Sequence, residues 1–320
     1  MAIIVGIDEA GYGPVLGPLV VSGVAMRVAD DEPTGCLWTR LQHSVTRTAS
    51  RRDLRLPIVD SKKLYNRKAG LGRLERSALT ALKVWGQTPR SLRNLLESLC
   101  PHLLEQLGAY PWYRDFDVDL PVAQDVAQVA TQANALTRDC RDHGIELTRV
   151  YCEPLLEGHF NRLVNTTRNK AVVLLGLVLR VVNRAMNAAG DQPLYVCIDR
   201  HGGRAHYASQ LMTAFDGHDL QILEESPARS AYALRRRQAH VRVEFVTSGE
   251  DRHLLVALAS IVSKYIRELF MIGLNRYWQQ RVQGLRPTAG YYRDGQRFLA
   301  DIAGAMDEDR MNRGLLVRAR

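Results

Sequence analysis

The residues Ile3-Ile4-Val5-Gly6-Ile7 form a short apolar run that ends on two adjacent carboxylates, Asp8 and Glu9, and then enters Ala10-Gly11-Tyr12-Gly13-Pro14. A continuous apolar run bounded by turn residues reads as a strand buried on both faces. Such a strand commits the chain to a layered fold with a sheet inside. It also leaves Asp8 and Glu9 at the rim of that sheet with no basic neighbour in sequence to neutralise them. A divalent ion would do so, since Mg²⁺ is commonly held by one or two carboxylates together with phosphate oxygens. The plainer alternative is a strand end followed by a turn cap. A dinucleotide-binding turn fits less well: Gly11, Gly13 and Gly17 are spaced G-x-G-x-x-x-G, Pro14 and Pro18 interrupt the expected helix start, and the acidic pair would repel a pyrophosphate.

Charge adds a second constraint. Lys and Arg number 43 against 34 Asp and Glu, a net charge of +9 that points to a polyanionic partner. An enzyme acting on phosphodiesters needs a positive surface for the backbone and a negative spot for the metal, so this charge and the acidic pair are informative together. The five cysteines, Cys36, Cys100, Cys140, Cys152 and Cys197, are odd in number and contain no C-x-x-C pair. They read as reduced thiols of a cytoplasmic chain, and no signal peptide is visible. The apolar segment from Ala171 to Leu179 is broken by Arg180 and is too short to span a bilayer, so a buried helix and no membrane association are expected.

Further elements follow from periodicity. Leu19 to Met26 reads as a second strand, residues 30–57 as a long polar loop, and Asp60-Ser61-Lys62-Lys63-Leu64 as the opening of a helix. Residues 86–144 look like an insertion with helical stretches around Leu92–Leu99 and Gln124–Asp142, separated by Pro111-Trp112-Tyr113. Ile145–Cys152 is a strand, Asn169–Ala188 a buried helix, Leu194–Asp199 a strand again ending in a carboxylate, Val241–Val246 an alternating strand, and Leu254–Leu274 a helix. Strands alternating with helices predict an α/β fold with a mixed central sheet flanked by helices. Asp199 then repeats the Asp8 arrangement, at the strand ends where ligand groups converge.

In combination these segments resemble ribonuclease HII, the type 2 ribonuclease H family. The carriers are Gly6-Ile7-Asp8-Glu9-Ala10-Gly11-Tyr12-Gly13-Pro14, Asp60-Ser61-Lys62-Lys63-Leu64, Ile198-Asp199, Ala259-Ser260-Ile261-Val262-Ser263-Lys264 with Glu268 after it, and Gly290-Tyr291, all in the family's order. The resemblance spans roughly residues 1–70 and 145–300. It implies a ribonuclease H-like fold, a catalytic domain over 1–285 carrying the 86–144 insertion, and a helical C-terminal extension over 286–320. It further implies endonucleolytic cleavage of RNA in RNA/DNA hybrids or at ribonucleotides embedded in duplex DNA, by a monomer using Mg²⁺ or Mn²⁺. Two ions about 3.5–4 Å apart need several carboxylates, and Asp8, Glu9, Asp199 and Glu268 are the implied catalytic ligands. Gly11, Tyr12, Gly13, Lys62, Lys63 and Tyr291 are the implied substrate contacts.

Three positions depart from the family pattern. Tyr12 stands where the family carries Arg, Arg200 where it usually has Gly, and Glu268 where it has Asp. Some residues keep a second reading. Lys264 and Glu268 are also an i,i+4 ion pair, Asp60 or Ser61 a helix cap, Tyr291 a packed ring, and Arg235-Arg236-Arg237 a solvated face. Glu250, Asp251 and His253 read as helix N-terminal charge, with a supporting acidic role open to Glu250. Two other functions remain: a non-catalytic nucleic-acid-binding paralogue, and a nuclease of the same fold acting on DNA or junctions. A requirement for a 2′ hydroxyl separates the last from the first reading.

Overall fold

The computed structural model describes residues 1–29, 35–50, 53–65, 70–236 and 238–319. Its strands are β1 (Ala2–Ala10), β2 (Leu19–Val28), β3 (Val45–Thr46), β4 (Leu56–Pro57), β5 (Ile145–Leu155), β6 (Leu194–Asp199), β7 (Asp219–Glu225), β8 (Arg229–Arg236) and β9 (Ala239–Val246). Among the described residues, seven form one sheet in the order β5-β2-β1-β6-β9-β8-β7, and β3 pairs with β4 apart from it. β1 runs antiparallel to β2 and parallel to β6, and β6 runs parallel to β9. The carboxyl ends of β1, β6 and β9 therefore lie along one edge, which is the geometry that gathers ligand groups.

Alternation along β1 explains what covers each face. Ile3, Val5 and Ile7 point into one core, shared with Leu174, Val178 and Val181 of the helix Lys170–Ala189. Gly6 lies on the other face, beneath the helix Leu254–Gln279. A Cβ there would sit 2.2 Å from the Leu255 carbonyl carbon and 2.3 Å from the Val256 nitrogen, so only glycine lets helix and strand backbones touch. This contact sets the helix over the strand, and the Ser263 hydroxyl donates to the Asp8 carbonyl at 3.0 Å.

The Leu254–Gln279 helix is buried nearly all round, because the sheet lies under it and the 86–144 segment over it. Trp112 and Tyr113 are each 1% exposed, and the Tyr113 ring meets Phe270 edge-on at 5.0 Å between centroids. This aromatic pair is therefore packed into the core. By length and composition the helix Lys170–Ala189 could cross a membrane, but its Val173, Leu174, Leu177 and Val178 belong to the core beneath the sheet. All five cysteines are free thiols, four of them buried.

Several expectations need correction. The predicted loop over 30–57 contains the short helix Leu37–Arg40 and the β3–β4 pair, because Leu37, Trp38, Val45 and Leu56 are apolar enough to enter the core. β7 and β8 and the helix Gly72–Val84 were not expected at all. The C-terminal segment is helical, as predicted. It is not peripheral, since Phe298, Ile302, Met306 and Leu316 join the same core as the Leu254–Gln279 helix. Arg235 and Arg236 end β8 exposed, and Arg237 lies outside the described residues.

Candidate active site

Three parallel strands deliver the acids. Ile7 of β1 is in register with Ile198 of β6, which brings Asp8 level with Asp199. β9 ends at Val246, and the chain turns through Ser248, at φ +54°, so that the Gly249 N–H donates to Asp199 Oδ1 at 2.7 Å. That bond delivers Glu250 to the same cleft. The cleft has a volume of about 480 Å³ and is lined by Asp8, Glu9, Asp199 and Glu250, by residues 10–14 of the glycine turn, and by Ser61, Lys62, Ser260, Lys264 and Tyr291.

Electrostatics separates this cluster from ordinary surface acids. Burial, followed by the Glu9 and Asp199 charges, raises Asp8 well above the carboxylate range, with the Ser260 hydroxyl opposing through a hydrogen bond. Glu9 is raised to about 7 by burial and then by Asp199 and Glu250. Asp199 is also raised to about 7; burial is the main cause, the Gly249 N–H opposes it, and Glu250 adds to it. Like charges gathered in a low-dielectric cleft cannot all ionise unless a cation joins them. Among the side chains lining the cleft, Lys264 is held by Glu268 at 2.6 Å, and Lys62 reaches Glu250 only at 3.8 Å from an 80% exposed side chain.

The donor set fits a divalent ion. It consists of hard carboxylate oxygens from Asp8, Glu9, Asp199 and Glu250, as Mg²⁺ and Mn²⁺ prefer. Among the described residues, no three His, Cys, Asp or Glu side chains are already closed into a coordination group. The acids border an open cleft, as suits an ion that keeps water or phosphate in its shell.

Glu268 does not join them. It is eight residues beyond Ser260 on one helix, hence about 12 Å further along the axis. There Lys264 Nζ at 2.6 Å and Arg267 Nη1 at 3.3 Å neutralise it. It borders a different cavity, with Asn275 and Thr288. The position expected of Glu268 at the carboxylate cluster is taken by Glu250. The signal available for Glu250 was an acid shortly after an alternating strand, the same pattern that marks Asp8 and Asp199.

The glycine turn is built by two buried arginines. Gly11 has φ +91°, and a Cβ there would meet the Pro18 carbonyl at 2.5 Å and Arg267 Nε at 2.8 Å. Arg267, 1% exposed, donates through Nη2 to the carbonyls of Leu16 at 3.1 Å and Ala289 at 3.0 Å. Arg318 donates through Nη1 to the Gly11 carbonyl and through Nη2 to the Tyr12 carbonyl at 3.4 Å, while its guanidinium stacks 4.0 Å from the Phe160 ring centre. Burial and the Arg267 charge bring Arg318 down to about 10. Gly13 has open space where a Cβ would go and stands at the cleft wall.

The other expected contacts divide. Tyr12 lines the cleft with the Lys170 ammonium 5.0 Å from its ring centre, and Tyr291 lines it while 53% exposed. Asp60 caps the helix Ser61–Leu64 by accepting from the Lys62 N–H at 2.9 Å, which leaves the Lys62 side chain at the cleft. Lys63 points elsewhere, to Asp251 at 3.0 Å. Arg200 donates to the Ser226 carbonyl in the β7–β8 turn at 2.9 Å and to the Ser230 hydroxyl of β8 at 2.6 Å. Two contributors were not anticipated. Ser260 meets Ser61 at 3.1 Å and bonds Asp8, and His201, held down to about 4 chiefly by burial, lies beside Glu9.

A mixed sheet flanked by helices on both faces, with β1 between an antiparallel and a parallel neighbour, is an α/β fold. No protein-family model matches the chain, and no curated protein matches it. Among solved structures, the chain is similar to one described as a PCNA:RNase HII complex from Archaeoglobus fulgidus, at 15% identity and TM-score 0.45, covering 99% of this chain and 94% of that one. It is also similar to Bst-RNase HIII in complex with Mn²⁺, at 14% identity and TM-score 0.41, covering 99% of this chain and 66% of that one. A third is the ribonuclease H2 from Pyrococcus horikoshii, at 13% identity and TM-score 0.39, covering 98% and 92%.

Proposed function

We propose that this chain is a metal-dependent endoribonuclease that hydrolyses RNA in RNA/DNA hybrids or at ribonucleotides embedded in duplex DNA. One observation carries the reading: Asp8, Glu9, Asp199 and Glu250 converge at the ends of parallel strands, with three of them raised by burial and mutual repulsion. A pure nucleic-acid binder has no use for a repulsive acidic cluster facing a polyanion. Divalent ions bound by these acids would activate a water and stabilise the departing 3′ oxygen of an in-line displacement.

The chain's own residues do the rest. Asp8 and Asp199 stand level on adjacent strands and form the centre of the ligand set, with Glu9 and Glu250 beside them. Ser260 orients the Asp8 carboxylate, and the Gly249 N–H fixes one oxygen of Asp199. The backbone of Gly11–Gly13 approaches the sugar, and the ammonium groups of Lys62 and Lys170 lie where backbone phosphates would pass. The net charge of +9 suits that polyanion.

The test is cleavage of end-labelled duplexes: an RNA/DNA hybrid, a DNA duplex with one ribonucleotide, and all-DNA, each with Mg²⁺ or Mn²⁺. Ribose-dependent cutting by the wild type that is lost in Asp8→Asn supports the reading. Equal cutting of all-DNA makes the chain a DNA nuclease, and binding without cutting of any duplex leaves a binding paralogue.

A further inference from the structure

We propose that His201 is a positioning residue for the candidate metal centre, holding the outer oxygen of the Glu9 carboxylate so that the inner one faces the ion. This rests on the reading of Glu9 as a metal ligand.

The placement is specific. His201 follows the end of β6 by two residues, and the Arg200 N–H, bonded to the Val246 carbonyl at 2.9 Å, keeps the chain against β9 there. The His201 side chain is 4% exposed and packs edge-on to Phe245, with ring centres 6.3 Å apart and planes at 73°. Among the described residues, its Nδ1 and Nε2 are both buried without a hydrogen-bond partner, and so is Glu9 Oε2. Nε2 and Oε2 are 3.8 Å apart.

Buried polar atoms without partners are rare and unfavourable, and such atoms facing each other are rarer still. The gap is about 0.8 Å longer than a normal N–H···O bond. A neutral imidazole has one N–H to give and a carboxylate can accept it, so a small rotation of Glu9 closes the gap. Loading the site supplies the reason for that rotation, because a cation draws one carboxylate oxygen inward and leaves the other in need of a donor. Partners of this kind fix ligand orientation, and their removal typically weakens metal affinity about 10–100-fold. The Glu9 side chain lies on the opposite face of β1 from Asp8, by strand alternation. His201 stands on that side, so it steadies an acid that neither Ser260 nor Gly249 bonds.

Mn²⁺ binding measures this without cleavage. Free Mn²⁺ would be titrated by electron paramagnetic resonance against wild type, His201→Leu, His201→Gln and Asp8→Asn, with melting temperatures recorded in parallel. The expected result is about a 10-fold or greater loss of affinity in His201→Leu. Melting should stay close to wild type, and His201→Gln, which restores an N–H donor, should recover affinity. Wild-type affinity in His201→Leu overturns the proposal. So does a loss that His201→Gln fails to restore while remaining folded, because that marks packing alone. If wild type and Asp8→Asn bind Mn²⁺ equally, the metal reading itself has failed, and this inference falls with it.

Discussion

Two groups of buried charge lie within a few helical turns of each other and are built on opposite principles. In the cleft, Asp8, Glu9, Asp199 and Glu250 crowd together, and the cations near them are distant or already engaged. Under the glycine turn, Glu268 sits between Lys264 and Arg267, Tyr113 donates to Glu157 at 3.1 Å, and Arg267 and Arg318 spend their donors on backbone carbonyls. Both groups contain buried acids, so burial alone does not mark a reactive centre. What distinguishes the cleft is missing neutralisation. The second group is scaffolding: Lys264 and Arg267 neutralise Glu268, and the two arginines hold the turn that the first group stands beside.

The sharpest way to break this contrast is Asp8→Asn. Ribose-dependent cleavage should fall by at least about 10³-fold while the metal-free protein melts higher, because a repulsive buried charge has gone. An unchanged rate, or a lower melting temperature without metal, would make Asp8 structural.

Glu268→Gln tests the other group. It leaves Arg267 buried without its counter-ion, a change that typically destabilises by about 3–5 kcal/mol. Chemical denaturation should show that loss, with Mn²⁺ affinity in the folded protein within about threefold of wild type. Abolished Mn²⁺ binding in a folded Glu268→Gln protein would return Glu268 to the metal centre.

The contrast also has a pH signature. Glu9 and Asp199 rise to about 7 on folding, from ordinary values of 4.5 and 3.8. Between those limits the folded chain holds more protons than the unfolded one, so their contribution to stability is greatest at low pH and is lost as pH rises through 7. Metal-free protein should therefore lose on the order of 5 kcal/mol between about pH 5 and pH 8. Saturating Mg²⁺ should flatten that slope, and a slope that Mg²⁺ leaves intact would place the titration elsewhere.

The smallest expected effect is that of Lys62→Ala. Duplex binding should weaken a few-fold, and the dependence of log affinity on log salt should lose about one charge. A binding change that ignores salt would remove Lys62 from the phosphate path.

These groups differ too in how far the sequence reveals them. Asp8 and Asp199 were legible because each ends an apolar strand, and strand alternation places an acid at the rim whatever the rest of the fold does. Glu250 was harder, because its arrival depends on a turn at Ser248 and one hydrogen bond to Asp199, neither of which leaves a periodic trace. Glu268 misled for the opposite reason. Its spacing from Lys264 is clear, but which side of the cleft a helix residue reaches depends on where Gly6 sets the helix along β1. β7 escaped notice because Ile222 and Leu223, 51% and 43% exposed, give a rim strand no alternation to read. The roles of Arg267 and Arg318 lie in long-range bonds to carbonyls, which no local pattern carries.

Arg318 closes on Gly11 and Tyr12 from 307 and 306 residues away in sequence. During synthesis the carboxylate strands β1, β6 and β9 can pair, and the acids gather, well before residue 318 has left the ribosome. The turn beside them has to wait. A nascent or prematurely broken chain would thus hold the gathered acids without the finished turn beside them, and under the proposed function the order of translation itself would delay cutting.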